Sequence, residues 1–288
     1  MMFNTIPIRR RRFLLTDPLL VAVAMQKGSR HAAREGIALA ERLEAPLHLA
    51  HVYHPEAQDL TEAEENLQRL AREADGLVSS VKTWFLEVPG DLASREEETK
   101  NALFRLFGEI GAQALVLASH SRPEDERNML GGTASRILHG ATCPCLFVPP
   151  MAPIGSRILV PVDGSSTSHR AAQLALNWAR RLGADLDLVT VAGSRERSAS
   201  RLEEAEARDI LCSFAALAGR KKVSAVVHLR QGSAPKSIVA LAEELASGLL
   251  VIGTHGRSGL GGWLIGSVAD AVVRRAPCPV LVVPPEKR

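Results

Sequence analysis

The chain has few aromatic residues and almost no excess of either charge. Only 4% of its 288 residues are aromatic, and 35 Lys and Arg stand against 32 Asp and Glu, a net charge of +3. Nucleic-acid-binding proteins usually carry a concentrated basic face, and those that bind single strands stack bases on aromatic side chains. Both shortages argue against nucleic acid as a partner. The length suffices for two domains, each with its own core.

Cysteine is also scarce, and its spacing does not match a zinc site. The four cysteines are Cys143, Cys145, Cys212 and Cys278. Only one residue separates Cys143 from Cys145, whereas zinc sites use pairs separated by two or more. We interpret all four as small buried thiols in a reducing cytoplasm. A metal or redox site at the first two is the alternative.

No apolar run has the roughly 20 residues that a membrane-spanning helix needs. The stretch FLLTDPLLVAVA follows the arginines at 9–12 and resembles a secretory or twin-arginine signal. However, Asp17 and Pro18 interrupt it, and residues 19–23 have a counterpart in the second half of the chain that must be a strand. We therefore interpret the arginines as a basic N-terminal arm, and we expect a cytoplasmic protein with no membrane partner.

The sequence lacks the common catalytic patterns. It contains no G-x4-G-K-[ST] segment, so it is not a P-loop NTPase, and neither Ser-His-Asp nor HExxH spacing stands out. His48, His51 and His54 recur every third residue, but successive members would point to opposite faces of a strand. This arrangement argues against a metal site. The sequence therefore assigns no catalytic residue and no metal ligand.

What the chain does contain is one pattern used twice. Residues 20–24, LVAVA, match residues 159–163, LVPVD, at a shift of 139, and the match continues through the next amphipathic segment. Nearer the end of each copy the shift is 135, where LVLASHS pairs with LVIGTHG. A stretch rich in Pro and Gly, Pro149 to Ser156, separates the copies. We therefore predict two domains of one fold, residues 1–150 and 151–288.

Each copy alternates strand patterns with helix patterns. In the second copy RILVPV has the composition of a buried strand, and apolar residues recur every three or four positions from Ser166 to Leu182. Strands without apolar–polar alternation are buried on both faces, which indicates a parallel sheet between two helix layers. The first copy has about seven extra residues around REEETK, predicted to form a solvated loop or a longer helix.

The last part of the second copy has a glycine pattern typical of a phosphate site. Gly253 ends an apolar run, Gly256 follows closely, and Gly266-Ser267 opens an amphipathic segment. Glycines let the backbone approach an anion, and a helix N-terminus adds free N–H groups and a partial positive charge. The spacing Gly-x2-Gly-x9-Gly-Ser resembles the nucleotide loop of the universal stress protein family, in its ATP-binding branch.

That resemblance implies a fold, a ligand and a set of contacts. The fold is α/β: two tandem doubly wound, Rossmann-like, open parallel five-stranded sheets in strand order 3-2-1-4-5, with the ligand where the winding reverses. The ligand is ATP, with Mg²⁺ as its companion ion. By resemblance, Asp163 and Val191 hold the adenosine, while the glycine loop holds ribose and phosphates. The implied contacts are Pro161, Val162, Asp163, Val191, Gly253, Gly256, Arg257, Gly266, Ser267 and Val268.

Each of these contacts also has an ordinary structural explanation. Asp163 precedes a Gly-Ser-Ser segment and could form a turn or cap a helix. Gly253 could simply end a strand, Ser267 could cap a helix, and Arg257 could be a surface residue. His255 has a histidine counterpart in the first copy, which favours a structural role for it.

The first copy has lost most of the glycine pattern. Gly253, Gly256 and Asp163 are replaced there by Ala118, Ser121 and Ala24. A Cβ at position 118 or 121 would crowd the backbone and penalise a positive φ. The nearby segment SRPEDERN adds three acidic residues where an anion would sit. We therefore predict that the first copy does not bind ATP in this way.

The last strand of each copy would lie at the edge of its own sheet. Exposed apolar edges invite pairing, so we predict that PCLFV at 144–148 meets PVLVV at 279–283. This internal pseudo-dimer would replace the homodimer of single-domain relatives, and a homodimer of whole chains is compatible with it. We expect ATP to be a regulatory or sensing ligand in a stress response. The alternatives are a slow ATPase or phosphate-transferring enzyme, and a scaffold that binds no nucleotide.

Overall fold

The computed structural model describes residues 17–25, 27–55, 60–88, 94–119, 130–193, 200–256 and 265–286. Strands and helices alternate along these ranges. The strands are β1 (Leu19–Ala22), β2 (Leu47–Tyr53), β3 (Val81–Glu87), β4 (Ala114–Ala118), β5 (Cys145–Val148), β6 (Arg157–Pro161), β7 (Asp185–Ala192), β8 (Ala225–Gln231), β9 (Leu249–Gly253) and β10 (Val280–Val283). The helices are α1 (Lys27–Arg42), α2 (Leu60–Ala74), α3 (Arg95–Ile110), α4 (Gly132–His139), α5 (Ser166–Leu182), α6 (Arg201–Arg220), α7 (Ala234–Glu244) and α8 (Ser267–Arg275).

Helix α5 shows how local signals set the limits of an element. Its N-cap is Ser165, whose hydroxyl accepts a hydrogen bond from the Ser168 N–H at 3.1 Å. It ends at Gly183, which has the left-handed φ of 58° that terminates many helices. The predicted helix from Ser166 to Leu182 is therefore confirmed.

The ten strands form one sheet in the order β3-β2-β1-β4-β5-β10-β9-β6-β7-β8. Neighbouring strands are parallel, except that β5 and β10 pair antiparallel, with Val280 opposite Phe147 and Leu281 opposite Leu146. Numbered within its own half, each half of the sheet runs 3-2-1-4-5. The winding therefore reverses between β1 and β4 and again between β6 and β9.

Two layers of helices cover this sheet. Helices α1, α2, α5 and α6 share one apolar cluster, and helices α3, α4, α7 and α8 share another. Strand side chains alternate between the two clusters: Leu19 and Val21 belong to the first and Leu20 to the second. The α/β class, with a mostly parallel sheet between helix layers, is confirmed.

The two halves also touch through polar contacts outside the paired strands. The buried Trp178 indole donates from Nε1 to Oε1 of Gln113 at 3.0 Å, which joins α5 to the first half. The linker packs on α1, where Ile154 N donates to Glu35 Oε2 at 2.8 Å and Arg42 donates to the Ile154 carbonyl at 2.8 Å. Because the indole N–H is buried, it needs the Gln113 acceptor.

Three of the four cysteines are buried, as expected, but Cys212 is exposed. Helix α6 packs through Ala207, Leu211 and Phe214, which leaves Cys212 on its solvent side. Burial raises the pKa of Cys278 to about 12, so this thiol stays protonated. None of the described helices combines the length and the apolar character needed to cross a membrane. The arginines at 9–12 lie outside the described residues.

Candidate functional site

A cavity of about 320 Å³ opens where the winding reverses in the second half, at the carboxyl ends of β6 and β9. Parallel strands end at the same edge of a sheet, and the crevice at the reversal is the usual ligand position. The structure brings nine of the ten sequence-predicted residues to this cavity, and Arg257 lies outside the described residues. The nine are Pro161, Val162, Asp163, Val191, Gly253, Gly256, Gly266, Ser267 and Val268.

The carboxylate of Asp163 has two roles. Its Oδ1 accepts hydrogen bonds from the N–H of Ser165 at 3.0 Å and from the Ser165 hydroxyl at 2.6 Å, which fixes the turn into α5. The N-cap itself is Ser165, so Asp163 supports the turn and does not cap the helix. Its other oxygen, Oδ2, lies beside Gly256, where an added Cβ would come within 2.8 Å of it. One oxygen therefore shapes the turn while the other borders the cavity.

The glycines of the loop provide space and not an unusual backbone conformation. None of Gly253, Gly256 and Gly266 has a positive φ, so the predicted need for one is wrong. A Cβ on Gly253 would lie 2.9 Å from the Thr167 carbonyl carbon, and a Cβ on Gly266 would lie 2.8 Å from the Thr254 carbonyl oxygen. Such contacts with the backbone cannot be relieved by a change of rotamer. These two glycines therefore set chain packing, while Gly256 leaves room beside a side chain.

Helix α8 directs its N-terminus at the cavity. The N-cap is Gly266, and no side chain forms a capping hydrogen bond. The alternative in which Ser267 caps the helix is therefore wrong. The Gly266 N–H donates to the Thr254 carbonyl at 2.7 Å, and the first intrahelical bond runs from Asp270 N to the Gly266 carbonyl at 3.0 Å. The N–H groups at 267–269 precede that bond and are available to an anion.

The opposite wall of the cavity is apolar. Val189, Val191 and Ile252 come from the sheet, and Ile238 comes from α7. The Thr190 hydroxyl is turned to the Val162 carbonyl, to which it donates at 2.7 Å. The site thus has an apolar end and an anion-binding end, as ligand pockets usually do.

His255 keeps one ring nitrogen without a partner. Its Nδ1 lies 2.9 Å from the Thr254 hydroxyl oxygen, while its Nε2 is buried and has no hydrogen bond within the described part of the chain. A buried unpaired nitrogen is costly, and a polar ligand group would pair it. The backbone carbonyl of His255 accepts a hydrogen bond from the Thr167 hydroxyl. His255 therefore combines a structural backbone role with an unused ring nitrogen at the cavity.

Sequence reasoning missed several residues of this site. Ser165 and Thr167 lie in the segment DGSSTS, whose turn and cap signals were available, but their hydrogen bonds to the His255 carbonyl, just after β9, depend on the fold. Ile238 and Ala234 line the cavity from α7 and carry no local signal. They reach the site only because α7 crosses back over the sheet.

The first half has the same backbone frame with different side chains. Its Gly131 N–H donates to the Ser119 carbonyl at 3.0 Å, as Gly266 does to Thr254. At the position of α1 that corresponds to Thr167 the first half has Gly28, so the larger residue of this pair is on the strand and the smaller is on the helix. This exchange would offset the crowding expected at position 118. Ser121 and the acidic segment at 124–126 lie outside the described residues.

Two doubly wound halves, each with a cavity at its winding reversal, define this chain as an α/β protein with a tandem repeat of one fold. The sequence model of the universal stress protein family matches residues 16–149 and again 156–284. The chain therefore belongs to the universal stress protein family, with two tandem domains.

The chain is similar to individual proteins of known sequence or structure. A universal stress protein of Mycolicibacterium smegmatis is 30% identical over 288 residues, covering 93% of this chain and 97% of that one. The crystal structure of a universal stress protein from Archaeoglobus fulgidus covers 93% of this chain and 98% of its own, with TM-score 0.69 and 16% identity. Another Archaeoglobus fulgidus universal stress protein, solved in complex with dAMP, covers 45% of this chain and 98% of its own, with 26% identity and TM-score 0.39.

Proposed function

We propose that the second half binds ATP and that ATP acts as a regulatory or sensing ligand in a stress response. The observation that carries this proposal is the convergence of three groups on one cavity. They are the free N–H groups that open α8, the Asp163 carboxylate and the buried, unpaired Nε2 of His255. One nucleotide supplies a matching group for each of the three. Its phosphates suit the N–H groups, its hydroxyls can donate to the carboxylate, and its polar atoms can pair the ring nitrogen.

The phosphates would lie at the start of α8. Backbone N–H groups and the helix dipole favour negative charge there. Asp270 in the first turn would oppose an anion, but it forms an ion pair with Arg274 at 3.0 Å, which reduces its effect. Ser267 would add its exposed hydroxyl, and Arg257, which follows Gly256 in the chain, would add positive charge.

The adenosine would lie against the apolar wall. Val191, Ile238 and Ile252 offer a surface for a flat base. Asp163 borders the same cavity and would accept hydrogen bonds from adenosine donor groups, while Pro161 and Val162 would line the crevice beside it. The separation of an apolar end from an N–H-rich end would fix the direction of the nucleotide.

Mg²⁺ would enter with the phosphates. The described residues contain no group of three or more His, Cys, Asp or Glu side chains that could hold a metal ion. Among the described residues that line the cavity, Asp163 is the one carboxylate. Mg²⁺ usually keeps several waters and binds phosphates with one or two carboxylates, which this composition would allow.

We also propose that the two domains, residues 1–150 and 151–288, form a pseudo-dimer in solution through β5 and β10. The antiparallel register of the two strands covers an apolar edge in each half. Pairing within the chain makes a homodimer unnecessary for covering these edges. The proposal also places the chain in the cytoplasm, where ATP is available.

An ATP titration by calorimetry tests the proposed site, with Gly256→Ala as the variant. Among the described residues, the added Cβ would meet only the Asp163 side chain within 4 Å, so it would fill the cavity without displacing their backbone. Gly219→Ala is the matched control, because a Cβ there meets nothing within 4 Å. We expect Gly256→Ala to weaken ATP binding by about tenfold or more, equivalent to at least ~1.4 kcal/mol, and Gly219→Ala to leave it unchanged.

Three outcomes separate the functions. Saturable binding that Gly256→Ala weakens supports the proposal, and Arg257→Gln should weaken it less. No saturable binding by the wild-type chain would favour the nucleotide-independent scaffold. Phosphate release by the purified chain that disappears with Asp163→Ala would instead favour a slow ATPase.

A further inference from the structure

The first half keeps a cavity at the corresponding edge of the sheet. It measures about 350 Å³, close to the 320 Å³ of the second half. Its floor is aliphatic, formed in part by Ala22, Val52 and Leu117. The fold has therefore preserved a compartment although the glycine pattern has been lost.

The anion-binding end of this compartment is already filled by the protein. Glu96, in the first turn of α3, places its carboxylate against the N-terminus of α4: a Cβ on Gly132 would overlap with Glu96 Oε1. Gly132 is the counterpart of Ser267, so the carboxylate lies where the second half would receive phosphate. Arg136 holds Glu96 there, with its Nε 3.6 Å from Oε2. A polyphosphate would meet like charge at this position.

Two polar side chains that line the cavity carry buried nitrogens without a hydrogen bond of normal geometry to a described residue. His54 follows β2 and is only 5% exposed, and neither of its ring nitrogens makes a hydrogen bond of normal geometry to a described residue. Arg95, at the start of α3, has a buried Nε that is likewise unpaired within the described ranges. Buried donors without acceptors are rare in native proteins and usually indicate an absent ligand or water.

The surroundings keep the His54 ring neutral. Burial lowers its pKa, the nearby Arg95 guanidinium lowers it further, and a weak interaction with the Val88 backbone partly offsets both effects. Arg95 is thus the fixed cation of the cavity, and a neutral His54 can donate or accept one hydrogen bond at each nitrogen.

We propose that the first half binds a small organic monocarboxylate, with the carboxylate on Arg95 and His54 and the aliphatic part on the strand side chains. A carboxylate offers two acceptor oxygens, which would pair the Arg95 Nε–H and one His54 N–H in charge-assisted hydrogen bonds. Glu96 in the same cavity disfavours a second negative charge. The two halves would then bind different ligand classes in equivalent positions.

The test uses the full chain and ligand-observed NMR with calorimetry. The probes are acetate, isobutyrate and benzoate, with isobutyramide as the uncharged equivalent and inorganic phosphate as the competing anion. The variants are Arg95→Gln and His54→Gln, and the matched control is Arg105→Gln, an exposed arginine on the same helix. ATP binding is measured in parallel as an independent reading of the second half.

We expect at least one monocarboxylate to bind saturably, with Arg95→Gln weakening it tenfold or more and His54→Gln weakening it less. Arg105→Gln should have no effect, and none of these variants should alter ATP binding. The proposal is overturned if no probe binds below about 10 mM, if isobutyramide binds as well as isobutyrate, or if phosphate binds more tightly than all three. Binding that survives Arg95→Gln would also overturn it. These results do not depend on whether the second half binds ATP.

Discussion

The two halves of this chain share a hydrogen-bonded frame and differ in what the frame encloses. Ala24 N donates to the Ser29 hydroxyl in the first half, and Asp163 N points to the Ser168 hydroxyl in the second. At the next strand the Gly131 and Gly266 N–H groups make equivalent bonds. The cavities have similar volumes, but the helix N-terminus at the cavity is open in the second half and covered by the Glu96 carboxylate in the first. The two halves therefore share backbone hydrogen bonds around the cavity but differ in the polar groups that line it.

The glycine at the end of the fourth strand shows how such a frame tolerates change. In the second half Gly253 leaves room for Thr167. In the first half the larger residue is Ala118 on the strand, and the smaller is Gly28 on the helix. The larger and the smaller residue of this strand–helix pair have therefore changed places between the two halves. A lost glycine is thus weak support for a lost site when the partner residue is not known.

The largest effect should come from replacing the α5 side chain that contacts the first half, Trp178, by its counterpart in α1. Trp178→Leu introduces the residue that α1 has at the same position, Leu39. We expect a loss of about 3 kcal/mol in the free energy of unfolding, because the change leaves a cavity and an unpaired Gln113 oxygen. Urea denaturation measures it. Leu39→Met, which conserves volume, is the control and should cost less than about 1.5 kcal/mol. Equal losses of unfolding free energy in Trp178→Leu and Leu39→Met would show that the contact between the halves contributes little to stability.

A smaller effect should follow from giving Gly253 and Thr167 the residue types that the first half has at the corresponding positions. Gly253→Ala should cost about 2 kcal/mol because its Cβ meets the Thr167 backbone and side chain. Adding Thr167→Gly recreates the first-half combination and should recover about 1 kcal/mol beyond additivity. A double-mutant cycle of unfolding free energies provides the measurement. If the two changes in unfolding free energy are strictly additive, residues 253 and 167 do not compensate each other in size. Gly219→Ala serves as the control for replacing a glycine.

A third comparison concerns Asp163 and its counterpart Ala24. Asp163→Asn should weaken ATP binding about tenfold, or ~1.4 kcal/mol, because a charge that accepts hydrogen bonds is removed. Ala24→Asp should not create a second ATP site, since Glu96 still occupies the start of α4. Calorimetry on both variants distinguishes the cases. A second ATP bound by Ala24→Asp would show that Glu96 does not close the first half.

The smallest effect should be an acid sensitivity confined to the first half. Burial, and secondarily Lys82, lower the pKa of His48, and burial and Arg95 lower the pKa of His54, both from an ordinary value of 6.5. The unfolded chain therefore takes up protons first, so the stability from these neutral rings is present above pH 6.5 and is lost as pH falls below it. Hydrogen exchange in β2, corrected for intrinsic rates, should accelerate more than in β7 from about pH 7.5 to about pH 5.5. His48→Gln should reduce that difference, and equal acceleration in both strands would contradict it.

Much of the fold was accessible from the sequence because its signals are local. Apolar runs and amphipathic segments predicted the alternation of strands and helices, and the internal repeat predicted that this alternation occurs twice. The candidate site was accessible through the resemblance to the universal stress protein family, which implies that the winding reverses between the first and fourth strands of each copy. Because parallel strands bring their carboxyl ends to one edge, that reversal put Asp163 and Gly253 together although 90 residues separate them.

The remainder depends on contacts between distant segments. Nothing near Gly253 indicates that its missing Cβ makes room for Thr167, and a positive φ was therefore the wrong explanation. The charged insertion was predicted to be a solvated loop or a longer helix, and α3 is the longer helix. That its Glu96 reaches the N-terminus of α4 depends on how α3 crosses the sheet. The exposure of Cys212 likewise depends on which face of α6 is packed.

The stoichiometry of ATP on the full chain tests the difference between the halves most directly. Native mass spectrometry or equilibrium dialysis at saturating ATP would count nucleotides per chain. We predict one ATP per wild-type chain, with that one weakened by Gly256→Ala and retained in Arg95→Gln. Two ATP per chain would contradict the account, because the first half would then accept a polyphosphate in spite of the Glu96 carboxylate at the start of α4.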